Sequence, residues 1–154
     1  MISSMIDFLH LLATVTWIGG MIYVNLALIP SLTAIDPPQR GRLLGAVAGR
    51  FAILAWGSVV VLLVTGLLKT PPGQLFRPST TFGAILALKH ALTLLMVFAG
   101  LLVTLVIAPK LGTLTPKPGE KPSLDFLKVQ KQLSMLGLAN MIMGVAVLPL
   151  VAIQ

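Results

Sequence analysis

The chain has 154 residues, 56% hydrophobic and only 10% charged, against roughly 25% charged in an ordinary soluble domain, which excludes a water-soluble globular fold and points to a polytopic membrane protein. It contains no cysteine, which excludes disulfides, thiolate metal sites and cysteine-linked haem and leaves histidine, methionine and oxygen as metal ligands. The net charge of +7 lies in the connections between apolar stretches rather than along one soluble face, so it sets topology and nucleic acid is not a partner.

Four apolar spans are read, at about 5–31, 50–69, 82–108 and 129–152, each long enough to cross a hydrocarbon core of about 30 Å as a helix. In the first, between Phe8 and Leu32, the only strongly polar side chains are His10 and Asn25. A histidine inside such a helix costs free energy unless a metal, a haem or a polar partner meets it, so it marks a candidate functional site. His10, Thr14, Trp17 and Met21 follow the spacing i, i+4, i+7, i+11 and share one face. No Lys or Arg precedes this span and no small-residue cleavage site follows it, so it reads as a retained helix rather than a removable signal.

The first connection is polar, running from Asp36 to Arg42, and residues 43–50 read either as an interfacial helix or as the first turns of the second span. Gly41, Gly45 and Gly49 recur every fourth residue, a spacing that permits close helix contact and a homodimer as readily as a flexible connection. The second span is almost wholly apolar and stops at Lys69-Thr70-Pro71-Pro72-Gly73. A short loop with Arg77 and Pro78 leads to the third span, which carries Lys89 and His90 and ends at Pro109, Lys110 and Gly112. The loop 113–123, TLTPKPGEKPS, is proline-rich and hydrophilic, and the fourth span holds Asn140, Met141 and Met143.

Eight basic residues (Arg40, Arg42, Arg50, Lys110, Lys117, Lys121, Lys128 and Lys131) flank the first and third connections, against Lys69 and Arg77 at the second. The positive-inside rule then places both termini outside in a multi-pass protein of the cell inner membrane. Short connections predict an all-α, up-down-up-down four-helix bundle forming a single transmembrane domain over residues 1–154. His10 would lie about 8 Å and His90 about 12 Å along their helices from the outer face.

These two histidines, the only ones in the chain, are therefore the candidate ligand pair. Haem iron accepts imidazole as an axial ligand, and bundles build such sites from facing helices. A b-type haem between the first and third spans would be lined by Thr14, Trp17 and Met21, with Lys89, Lys69 or Arg77 pairing its propionates. The alternative metal is copper, held by His10 and His90 with Met5, Met141 or Met143, since thioether and imidazole suit Cu(I). A plainer alternative has each histidine hydrogen-bonding a neighbouring helix, Lys89 snorkelling to the interface and the methionines simply packing. Asn140 reads as an interhelical hydrogen bond, and the i, i+3 spacing of Asp7 and His10 merely permits a contact. No Walker loop, dinucleotide turn, zincin helix or Ser-His-Asp set is present. The implied partners are the bilayer and a redox partner or lipophilic substrate.

His10, Trp17, Gly20 and Tyr23 followed by Pro30, then Arg50-Phe51, Thr65-Gly66-Leu67 and Leu88-Lys89-His90, resemble the copper-resistance D (CopD) family of membrane proteins. The first-helix spacing and Lys89 also resemble the HemJ-type protoporphyrinogen oxidases. The fourth span departs from these, having Asn140 and Pro149 where they carry an Arg-x-x-Asn-Glu-x-Pro element. The resemblance implies a haem or copper role in the membrane, with protoporphyrinogen oxidation as a further possibility.

Overall fold

Hydropathy decides the architecture: four apolar segments with no strand-like alternation must satisfy their backbone polar groups internally, which in hydrocarbon leaves helices. The computed structural model describes residues 2–70, 80–116 and 120–152, and within them the chain forms four long helices. These are α1 (Ile2–Ala34), α2 (Pro37–Lys69), α3 (Thr81–Thr113) and α4 (Leu124–Ala152). Each runs past its apolar span, because polar turns at the interface continue the helix once the membrane-crossing part has nucleated it. Residues 43–50 are accordingly the early turns of α2 and not a separate interfacial helix.

Local chemistry sets the helix ends. Pro37 and Pro38 occupy the first turn of α2, where a missing N–H costs nothing, and the Asp36 carbonyl accepts from the amides of Gln39 and Arg40 at 3.0 Å each. The Arg40 guanidinium then donates to the carbonyls of Thr33 (3.0 Å), in the last turn of α1, and Ile35 (2.6 Å), just past it, tying the connection down. Thr80 caps α3 through the Gly83 amide (3.1 Å), and Ser123 caps α4 through the Phe126 amide (3.1 Å).

Two helices widen for the same reason. A π turn at Val24–Leu28 precedes Pro30, and another at Val103–Ile107 precedes Pro109 at the same offset. Proline lacks an N–H and its ring crowds the carbonyl four residues back, here Leu26 and Leu105. A widened turn absorbs that misfit without breaking the helix. A third π turn, Val15–Gly19, follows carbonyls of His10 and Leu12 that accept from the hydroxyls of Thr14 and Thr16 (2.8 Å each).

The helices pack antiparallel in the order expected of an up-down-up-down bundle. α1 lies along both α2 and α4, and α3 along α4. α2 meets α3 through Trp56, whose indole N–H donates to Thr104 Oγ1 (3.2 Å) and whose ring lies on Gly100. α1 and α3 are thus diagonal neighbours. The core is a cluster of Trp17, Ile18, Met21, Val59, Met96, Met141 and Val147, with Met96 only 1% exposed. Two glycines admit it. Phe51 of α2 sits directly over Gly20, and a β-carbon at Gly144 would lie 3.1 Å from Met96 Cε, 3.2 Å from Met21 Cε and 3.4 Å from Ile18 Cγ1. Large apolar residues such as Ile53 (76% exposed) and Leu105 (68%) face outward. That inverts the soluble pattern and suits contact with acyl chains.

Gly20→Ala should therefore drive a methyl into the Phe51 ring and destabilise the bundle by about 1–3 kcal/mol. Gly19, whose β-carbon position is open, should tolerate alanine without loss. Thermal unfolding of the two variants in detergent checks this, and equal melting temperatures would contradict it.

Candidate functional site

Asp7, His10 and Thr14, near the amino-terminal end of α1, each find a partner on another element or on their own helix. Asp7 Oδ1 pairs with Lys69 Nζ across α1 and α2 at 2.8 Å, both side chains about half exposed. One turn deeper, His10 Nδ1 lies 2.7 Å from Thr65 Oγ1, and its ring rests against Gly66. Asp7 and His10 on α1 thus meet Lys69 and Thr65 on α2 as matched rungs of an antiparallel pair. The third-helix charge that reaches His10 is that of Lys89, which also feels Lys69. His10, Lys89 and His90 are all half-buried.

The hydrogen bonds fix which ring nitrogen carries the proton. Thr65 has one hydroxyl hydrogen and donates it to the Val61 carbonyl at 2.6 Å, so toward His10 it can only accept. His10 Nδ1 is therefore the donor. His90 Nδ1 lies 2.7 Å from the Leu86 carbonyl, which likewise only accepts. In its neutral form each imidazole holds its proton on Nδ1 and presents a bare lone pair on Nε2, the arrangement that second-shell partners impose on metal-binding histidines.

The other sequence candidates fall into two groups. Thr14, half-buried, donates to the His10 carbonyl at 2.8 Å. Trp17 and Met21 share the inward face of α1 as the spacing predicts, but they lie in the packed core below the histidine level. Met143 packs against that same core, beside Gly144, which meets Ile18 and Met21. That register sets it two to three turns, roughly 12–16 Å, past His10, away from the histidine with which the sequence pairs it as an alternative copper ligand. Met141 is buried in the core, and Met5 is 60% exposed on the outside. Among the described residues, Met141 and Met143 thus pack in the core rather than beside His10. Arg77 lies outside the described residues.

Asn140 does not form the interhelical hydrogen bond expected of it: among the described residues its buried Oδ1 has no partner. Asn25, by contrast, donates to the Met21 carbonyl at 2.9 Å and touches Gly137. Sequence reasoning missed Thr65. The signal was a threonine four residues before Lys69, opposite a histidine three residues after Asp7.

Among the described residues no three His, Cys, Asp or Glu side chains gather as a metal site. A groove of about 310 Å³ along α1 and α2, lined by Leu9, Leu12, Thr16, Leu54, Gly57 and Val61 among others, is apolar and includes neither histidine. Around His10 stand the Thr65 hydroxyl and the Asp7–Lys69 pair, with Lys89 of α3 within electrostatic range, and His90 lies on α3 with its Nδ1 on the Leu86 carbonyl. That chemistry fits haem, whose porphyrin supplies four iron ligands and whose carboxylates need cations.

Thr65→Val, close in shape but without an acceptor, should strand the His10 N–H and lower stability by about 1–3 kcal/mol. Thr65→Ser should retain most of it. Unfolding in detergent checks this, and a fully stable valine variant would contradict the bond.

Comparison with known proteins finds the family of copper resistance protein D (CopD) matching residues 45–153, a range that leaves out the first-helix His10 motif and takes in α3, α4 and most of α2. No curated protein and no solved structure matches. With most of its length matched and four apolar helices forming the bundle, the chain belongs to the copper resistance protein D family of membrane proteins.

Proposed function

We propose that this protein is a membrane-embedded b-type haem protein with an electron-transfer or redox role, the haem lying between α1 and α3 with His10 and His90 as axial ligands. The observation that carries this reading is the commitment of both Nδ1 atoms, one to Thr65 and one to Leu86, which frees both Nε2 atoms. The diagonal placement of α1 and α3 supports it, since diagonal helices face each other across the bundle axis. Bound there, haem would supply one-electron chemistry.

The chain's own residues would do the rest. Thr65 holds the His10 ring in one orientation and tautomer. Trp17, Met21 and Met96 close the interior below the site and exclude water. Lys69 and Lys89 would offer charge to the propionates, with Asp7 fixing Lys69 at the rim. The distribution of lysine and arginine supports placing this end of the bundle at the outer face of the inner membrane.

Copper as ligand or cargo is the second reading, favoured by the family match. Two imidazoles can bind Cu(I), but Met141 and Met143 pack in the core rather than beside His10, so we rank haem first.

Detergent-purified protein from haem-sufficient cells should be coloured and should show a sharpened alpha band on dithionite reduction. His10→Ala and His90→Ala should each change that spectrum. A colourless preparation, or spectra in both variants unchanged from the parent protein, would contradict the haem reading, and bound copper without a Soret band would establish the second.

A further inference from the structure

At the opposite end of the bundle from His10, the last turns of α3 and the first turns of α4 enclose a pocket of about 260 Å³ lined by Lys110, Leu114, Asp125, Lys128, Val129 and Gln132. Its composition is graded. Lys110 and Lys128 place ammonium groups on two different helices, Gln132 adds an amide, and buried Val129 with half-buried Leu114 forms an apolar floor. Asp125 stands 3.8 Å from Lys128, and both side chains are 74% exposed. A pair that long and that wet contributes little and leaves Lys128 able to take another anion.

The pocket is continuous with lipid-facing surface. One turn back from Lys110 on α3 is Val106 (51% exposed), and one turn on from Gln132 in α4 is Met135 (62% exposed). A molecule seated here thus meets charge where the helices leave the membrane and an apolar track where they enter it. A free anion would use only the first of these features.

We propose that this pocket is a phospholipid site, holding the phosphodiester of an anionic headgroup between Lys110 and Lys128 with its acyl chains along Val106 and Met135. Basic pockets between transmembrane helices recognise such headgroups, at about 1 kcal/mol per cation near the surface. Asp125 faces the glycerol side of the headgroup, where hydroxyls can donate to it. The site is independent of the histidines and of any metal they hold.

The test is native mass spectrometry of the full chain in mixed micelles with phosphatidylglycerol, phosphatidylcholine or inorganic phosphate. Phosphatidylglycerol should be retained on the order of 30-fold better than phosphatidylcholine, two cations' worth of preference. Lys110→Gln with Lys128→Gln should abolish the preference, and arginine at both positions should keep it. Lys121→Gln with Lys131→Gln, which removes the same charge from exposed neighbours, should leave it intact. Equal retention of the two lipids, equal loss in both glutamine pairs, or displacement of the lipid by inorganic phosphate would each overturn the proposal.

Discussion

A hydrogen-bonding group surrounded by hydrocarbon must find its partner inside the protein, and the His10–Thr65 bond is where this chain meets that constraint most consequentially. Thr65 could have competed for a proton, but its own is spent on the Val61 carbonyl one turn back, which makes it a pure acceptor for the ring. The helix backbone thereby dictates the tautomer of a side chain on another helix. His90 is set by its own backbone at Leu86. The two rings thus reach the same protonation pattern by different routes. His90 carries its orientation as local structure, whereas His10 keeps its orientation only while α1 and α2 stay in register.

That register depends on contacts further down. Gly20 lets Phe51 approach α1, the Asp7–Lys69 pair closes the rim, and the His10–Thr65 rung lies between them. On the other side of α1, Gly144 brings α4 against Ile18 and Met21, with Met96 of α3 completing the contact. The methionines serve as flexible filler where three helices converge on a residue without a side chain. Matching π turns ahead of Pro30 and Pro109 keep α1 and α3 continuous. A polar end and a sealed apolar interior therefore share the same helices.

The fold was legible because hydropathy alone separates four spans, and the scarcity of polar residues inside them singled out both histidines. Helix ends were less so: the membrane writes its thickness into the apolar run, whereas helices continue through polar turns such as residues 37–42. The partner of His10 was hidden because choosing among acceptors on a neighbouring helix needs the register, which sequence spacing does not encode. The same gap misplaced Met143. Residue type made it a candidate partner of His10, while packing at Gly144 sets it two to three turns away. Asn140 shows the reverse, a polar residue whose type suggested a bond that its position does not supply.

The central claim is that Thr65 holds the proton of His10 on Nδ1 and leaves Nε2 bare. Solid-state nitrogen NMR of isotope-labelled histidine in the bilayer-embedded apoprotein reads this directly, with His90→Gln isolating the His10 signals. The account predicts a protonated Nδ1 and an unprotonated Nε2, lost in Thr65→Val. A proton on Nε2 in the parent protein, or a spectrum indifferent to Thr65, would contradict it.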